Sequence, residues 1–505
     1  MTSEMTFTCQ TRLSLNEDGM GILCECATLF NAVEHALYAE VAKGKSSASC
    51  KNNFLKKYGI TARQFNACRV SLEGKMAACR TSQEQAAISL KQTIDALDSR
   101  IRYLEKKPSK HFVLHQKKRR RGILSDRLSS IEKDLKEKRI ALCFGGRKLF
   151  RTQFYLEKNG FSSHQKWREA WQAKRNSEFF VLGSKDETGG NQTCTARIQE
   201  DGRLSLRLRL PDVLIEKWGK YLEIKNVAFA YGHEVILTSL NNPEGQALSY
   251  RFKKDDKGFR VFVTTNLKKP DTVSIEGNGL IGIDLNTDHI AYIETDRFGN
   301  PVKKATIPWI SYGKTRGQLK ALTGEICKKI IDHAKEVKKP IVIEKLDFRN
   351  KKLTLKEKGD NRISRLLSSF AYHIFFVSLI ARAFKNGIVV HQVNPAYTSV
   401  IGRVNYARRY GLSVHHAAAL CIARRYQKFS EAPCFPIGKI PDGKGGYVAF
   451  VLPARNRTKH VWHFWGQVKR KLSTELAAHF RAMRNGSLSP PSSTHEIDNS
   501  RLLLV

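Results

Sequence analysis

Two short apolar runs in the second half of the chain each end in an acid. The first is Leu280-Ile281-Gly282-Ile283-Asp284-Leu285-Asn286. The second is Pro340-Ile341-Val342-Ile343-Glu344-Lys345-Leu346-Asp347-Phe348. Ile/Val runs bounded by Gly or Pro read as buried central strands. A carboxylate closing such a strand is stable there only when paired or when it binds a metal. Set side by side, Asp284 and Glu344 would form a divalent-metal site. In sites of that kind, paired Mg²⁺ ions roughly 3.5–4 Å apart drive phosphodiester hydrolysis.

The charge points to the substrate. Lys and Arg number 87 against 47 Asp and Glu, a formal charge of +40. Self-repulsion on that scale destabilises a compact fold unless a polyanion is bound. Nucleic acid is the expected polyanion, because phosphate contacts release condensed counterions. A membrane is not expected. The longest apolar stretch, Phe370 to Phe384, is interrupted by His373 and Arg382, and it is shorter than the roughly 18 residues of a spanning helix. The N-terminus lacks the basic-then-apolar order of a signal peptide, so an intracellular location is expected. The 11 cysteines are scattered without a Cys-x-x-Cys and read as reduced structural thiols.

The expected fold is α+β and multidomain. Residues 1–20 read as an opening strand, alternating through Thr6–Leu13. Residues 21–139 read as a helical lobe. Within it, Ala87, Leu90, Ile94, Leu97, Ile101 and Leu104 recur at helical spacing. Pro108-Ser109 interrupts the pattern, and Leu124, Leu128, Ile131 and Leu135 resume it, which predicts a helical hairpin. The run Lys117-Lys118-Arg119-Arg120-Arg121 is placed at its turn and read as a phosphate contact, against the plainer reading of a solvated charge run. Residues 140–275 are punctuated by glycines and alternate with period two. In Leu204–Leu210 every second residue is Leu, and Arg207 and Arg209 lie opposite. A half-buried strand with its basic face toward phosphates follows, and a small β-barrel is expected. Gly145-Gly146 is a weak phosphate-loop signal without a following Gly-Lys-Ser/Thr. Residues 276–483 alternate strand and helix, and 484–505 form a Ser/Pro-rich tail expected to be disordered.

The second half resembles a known family. Asp284 in Ile-Gly-Ile-Asp-Leu-Asn is similar to the first RuvC-like motif of transposon-encoded TnpB proteins and of the compact type V CRISPR effector nucleases. Glu344 in Ile-Val-Ile-Glu-Lys-Leu-Asp-Phe resembles the second motif. Val393-Asn394-Pro395-Ala396-Tyr397-Thr398-Ser399 resembles the segment before the third. The resemblance covers roughly residues 275–430 and extends upstream only as domain order. It implies a helical recognition lobe, a β-barrel wedge domain and an RNase H-like nuclease domain. It further implies a guide RNA that pairs with one strand of double-stranded target DNA, Mg²⁺ or Mn²⁺ as cofactor, and no membrane partner. Oligomeric state is left open, with a monomer as the default.

The departures narrow the site. In most such proteins a four-cysteine zinc ribbon follows the Pro-Ala-Tyr-Thr-Ser segment. Here Val400–Tyr410 contains no cysteine, so no structural zinc is expected. The family's next helix opens Asp-x-Asn-Ala-Ala, and its Asp is the third metal ligand. Here the helix reads Val414-His415-His416-Ala417-Ala418-Ala419, which puts His415 at the place of the Asp. No acid occurs from Asn361 through Ser430. Three readings stay open. His415 replaces the Asp as a ligand or proton carrier; an acid from elsewhere, Glu325 or Asp347, completes the site; or the nuclease is inactive and the chain is an RNA-guided repressor. A guide-free nuclease for branched DNA is a further alternative. Arg403, Arg408 and Arg409 are expected to make the surrounding surface basic, and at least one of Arg424 and Arg425 is expected to be solvated or on phosphate. Trp462 and Trp465 read as a helix-packing stripe.

Overall fold

The computed structural model describes residues 4–242, 244–286, 288–311, 313–345, 369–441 and 446–484. The chain forms two compact units, Met1–Lys268 and Lys269–Val505. Asp347 and the tail from residue 485 lie outside the described residues.

The first unit opens with strand β1 (Glu4–Arg12) and helices α1 (Glu17–Ala42), α2 (Lys51–Tyr58) and α3 (Ala62–Glu105). A 3-10 turn at Pro108–Lys110 leads into α4 (His111–Lys136). Ion pairs Lys118–Glu105, Arg121–Asp98 and Lys91–Glu132 tie α4 back along α3 as the expected hairpin. Ala87, Ile94, Ile101 and Leu104 are buried in it. Thr61 caps α3 through a reciprocal pair with Gln64, which satisfies two orphan donors of the first turn. The run 117–121 is not at the turn. The break falls at Pro108 because proline cannot donate the helical hydrogen bond, and the basic residues follow it inside α4.

Next come α5 (Arg147–Thr152), α6 (His164–Arg175), β2 (Glu178–Val181), β3 (Cys194–Ile198), β4 (Leu204–Arg209), α7 (Asp212–Trp218), β5 (Tyr221–Val227), α8 (His233–Leu240), β6 (Ser249–Asp255) and β7 (Gly258–Lys268). The strands form two antiparallel sheets, in the orders β1-β7-β6-β2 and β3-β4-β5. This corrects the barrel expectation: among the described residues no closed barrel forms. The first stretch of 140–275 is spent on α5 and α6, and each sheet keeps two unpaired edges. Period two in β4 holds, with Leu204, Leu206 and Leu208 buried beneath one core shared with α1 and α3.

The second unit contains β8 (Ile281–Leu285), β9 (His289–Thr295), β10 (Pro301–Pro308), α9 (Arg316–Glu336), β11 (Ile341–Glu344), α10 (Ser369–Lys385), β12 (Val390–Val393), α11 (Thr398–Ile401), a π-helical stretch Gly402–Ala407, α12 (Val414–Tyr426), β13 (Ile437–Pro441), β14 (Tyr447–Val451) and α13 (Val461–Arg484). Five strands make one sheet in the order β10-β9-β8-β11-β12. β10, β9 and β8 pair antiparallel, whereas β11 runs parallel to both β8 and β12. Side chains alternate between the two faces. Ile281, Ile283, Ile341 and Ile343 enter one core with α9 and α10. Leu280 and Val342 face α12 through Ile422 and Ala423. Gly282 lies on that second face. A Cβ there would stand 2.2 Å from the Ala419 carbonyl oxygen, so α12 lies directly on the central strand.

Candidate active site

Register brings the two acids together. β8 and β11 pair Ile281 with Ile341 and Ile283 with Ile343. Asp284 and Glu344 follow one residue later on neighbouring parallel strands, so both point to the face that α12 covers. Asp284 is 8% exposed. Asn286 Nδ2 donates to its Oδ2 at 3.1 Å. Thr398, the first residue of α11, donates its hydroxyl to Glu344 Oε1 at 2.5 Å.

His415 joins this pair. Ser413 caps α12 by accepting from the His416 amide, which starts the helix one residue later and sets His415 in its first turn. Its Nδ1 lies 3.4 Å from Asp284 Oδ2, and nearly half of its side chain is exposed. His416 has a different task. It is buried, with Nε2 3.0 Å from the Ala305 carbonyl and Nδ1 2.8 Å from Ser413 Oγ, and so ties α12 to β10.

Sequence reasoning missed three neighbours. His289, opening β9, meets the His415 ring edge-on at 4.8 Å. Its Nδ1 is 2.8 Å from Asp288 Oδ1 at the β8–β9 turn. Tyr372 of α10 lies at the same strand end, with its hydroxyl 3.5 Å from the Leu285 carbonyl. Burial raises the Tyr372 pKa, and the negative charges of Asp284, Glu344 and Asp288 add to the rise. No local pattern marks these residues, because only strand pairing and helix packing bring them to the acids.

Other candidates lie elsewhere. Glu325 is exposed on α9, whose buried stripe packs on the opposite face of the sheet. It is therefore not brought to the acidic pair. Arg424 and Arg425 are both held by the protein, contrary to expectation. Arg424 Nη1 donates to the Gly299 carbonyl at 2.7 Å and its Nε to Tyr406 at 3.2 Å. Arg425 donates to the carbonyls of Asn394 and Ala396 and pairs with Glu431. It thereby fixes the loop that delivers Thr398. The last turn of α12 sits between that loop and the β9–β10 turn, which occupies both guanidiniums. Trp465 is buried and donates to the Glu431 carbonyl, as a packing stripe predicts.

The predicted phosphate contacts divide in the same way. Arg119 and Arg120 are exposed on α4 and Lys117 is half-buried, while Lys118 and Arg121 pair with α3. On β4, Arg209 pairs with Asp212 at 2.8 Å and Arg207 stacks 3.8 Å from the Tyr221 ring centroid. Arg408 and Arg409 are exposed. Arg403 lies in the π-helical stretch; its pKa is lowered by burial, and its Nε has no hydrogen-bond partner among the described residues.

The donor set fits a hard divalent cation. Mg²⁺ is held by one or two carboxylates and completes its shell with water and substrate phosphates. Asp284 and Glu344 meet that requirement. Among the described residues no group of three His, Cys, Asp or Glu side chains is placed to hold a metal, so His415 as it stands is a partner of Asp284.

No family model and no curated protein matches the sequence. Solved structures with some likeness include a Cas12f1–sgRNA–target DNA complex, 12% identical, covering 84% of this chain and 99% of that chain at a TM-score of 0.36. A T. thermophilus RuvC in complex with a Holliday junction substrate is 14% identical and covers 30% of this chain and 97% of that chain at a TM-score of 0.23. Another Thermus thermophilus RuvC structure is 15% identical and covers 28% and 90% at 0.21. At these scores the likenesses decide nothing about this chain, and the site stands on its own geometry.

Proposed function

We propose that the chain is an RNA-guided DNA endonuclease that hydrolyses phosphodiesters at Asp284 and Glu344. The observation that carries this reading is the adjacency of the two carboxylates on parallel strands, under a helix that aims His415 at one of them. The five-stranded sheet, an antiparallel meander continued by two parallel strands, is compatible with an RNase H-like nuclease domain. A bound divalent ion would supply an activated water and neutralise charge on the scissile phosphate. The chain's own part is to hold the carboxylates in place. Asn286 and Thr398 orient them, and Tyr372 closes the strand end. His415 takes the position of the missing third acid, where it orients Asp284 or carries a proton. The reading in which His415 completes the site is supported by its contact with Asp284; Glu325 lies on the other face of the sheet, and Asp347 lies outside the described residues.

Guide dependence draws on the motif resemblance and on the charge of +40. The test is to purify the protein with its bound RNA, sequence that RNA, and challenge the complex with plasmids carrying matched targets beside randomised flanks. Cutting in Mg²⁺ of matched plasmids alone is the expected result. Cutting of branched DNA without RNA contradicts the guided reading, and guide-dependent binding without cutting makes the protein a repressor.

A further inference from the structure

Gly145-Gly146 is a sequence feature that the nuclease site does not use. Both glycines have positive φ, 84° and 96°. A Cβ at Gly145 would lie 2.8 Å from Trp171 Nε1, so only glycine lets the backbone turn this close to the indole. The turn delivers the Phe144 carbonyl to Trp171 Nε1 at 3.0 Å. Trp167 Nε1 is tied in the same way to the Leu149 carbonyl at 2.8 Å. The two indoles stack at 5.3 Å, and the Arg175 guanidinium lies over the Trp171 ring at 4.8 Å.

This frame walls a hollow of about 450 Å³ in the first unit, lined among others by His35, Phe144, Arg147, Phe150, Arg151 and Arg175. An adjoining hollow of about 540 Å³ shares Arg147 and Arg151 and adds Lys148 and Tyr155. Both volumes fall in the range of small-ligand sites, roughly 300–1,000 Å³. No carboxylate lines either hollow. Of the neighbouring acids, Glu34 pairs with Lys75 at 2.5 Å and Glu178 with Lys253 at 3.0 Å. Among the described residues, Arg147, Arg151 and Arg175 form no ion pair. Arg175 Nε is buried without a hydrogen-bond partner among the described residues, and burial together with Arg175 lowers the pKa of His35. Aromatic rings beside unpaired arginines are what a nucleobase and its phosphate require.

We propose that this hollow receives one unpaired nucleotide, its base against Phe144, Phe150 and the Arg175 guanidinium and its phosphate on Arg147 and Arg151. A paired base offers no free face to such a concave site, so single strands are the ligand and duplex is not. RNA and DNA strands share this chemistry. The site goes beyond the nuclease reading, since it lies in the first unit and needs no metal.

The test uses the full chain stripped of nucleic acid and kept in EDTA, so that the outcome does not depend on cleavage. Short single-stranded RNA, single-stranded DNA and duplex DNA, each carrying photoreactive uracils, are cross-linked and the adducts mapped. Adducts within residues 141–175 are expected. If they form with one strand type only, that strand is the ligand; if with both, the site does not read the sugar. Phe150→Ala, which leaves the charge unchanged, is expected to weaken single-strand binding about tenfold and to leave duplex binding unaltered. Tyr231→Ala, an exposed ring elsewhere, is expected to change neither. If Phe150→Ala is misfolded, the exposed pair Arg147→Gln and Arg151→Gln replaces it. That pair is expected to lose more single-strand affinity than Lys328→Gln with Lys329→Gln, which removes the same charge from α9. Adducts confined to other segments, or variants that bind like their controls, would overturn the proposal.

Discussion

A carboxylate 8% exposed at the end of an apolar strand needs company. Asp284 has the Asn286 amide and the His415 imidazole, and Glu344 has the Thr398 hydroxyl. Removing Thr398's hydroxyl takes away one hydrogen bond that orients Glu344. Thr398→Val is therefore expected to lower cleavage by about 10–100-fold through weaker metal binding, the usual cost of losing a partner that orients a ligand; raising Mg²⁺ should recover part of the rate. An unchanged Mg²⁺ dependence would remove Thr398 from the site. Asp284 and Glu344 were legible in the sequence because a charge closing an Ile/Val run violates the apolar pattern. Thr398 was visible only as part of a motif, and Asp288, His289 and Tyr372 were not visible at all. Their closeness arises from the β8–β9 turn and from α10 packing, contacts that no local spacing encodes.

The elements are held by two close fits on opposite faces of the central sheet. On the face that carries Asp284, Gly282 lets α12 lie on β8. Gly282→Ala pushes a Cβ into the Ala419 carbonyl. It is expected to cost roughly 1–3 kcal/mol and to reduce cleavage, because α12 carries His415; a denaturant melt beside a cleavage assay checks both. On the α9 face, Glu294 of β9, paired across the sheet with Ile281, is buried between Lys339 at 2.6 Å and His333 at 3.1 Å. The hydrogen bond from His333, opposed by burial and aided by Lys339, lowers its pKa from 4.5 to about 2. A lowered carboxylate stabilises the fold above its unfolded value and loses that contribution as pH falls toward the folded one. The second unit should therefore lose stability between about pH 4.5 and 2. Glu294→Gln should flatten that acid limb and destabilise the protein at neutral pH by on the order of 3 kcal/mol, since Lys339 would stay buried and unpaired. Thermal midpoints across that pH range measure both effects. Strands β8, β9 and β11 and helices α9 and α12 could be read from periodicity and caps. β10 could not, because Lys303 and Lys304 are exposed on an edge strand. α5 and α6 were hidden by glycines that suggested strands and turns, whereas Gly145 serves the close approach to Trp171.

Across the whole molecule, +40 of formal charge is spread over two units with their own cores. Several basic residues singled out from sequence are already paired within the fold, Lys118, Arg121 and Arg209 among them, and sequence alone does not separate these from free ones. Arg119 and Arg120 are exposed on α4. Nucleic-acid affinity should fall steeply with salt, and Arg119→Gln with Arg120→Gln should make the log–log slope shallower by about 1–2, since each lost phosphate contact removes roughly 0.7–0.9. An unchanged slope would show that α4 does not touch phosphate. The most direct test of the account is cleavage of a guide-matched plasmid in Mg²⁺ by the wild type and by Asp284→Ala, with target binding followed in parallel. The variant is expected to bind the target as tightly as the wild type and to cut it at least about 100-fold more slowly. Equal cutting by the two, or a wild type that binds its target but cuts in neither Mg²⁺ nor Mn²⁺, would contradict the proposed function.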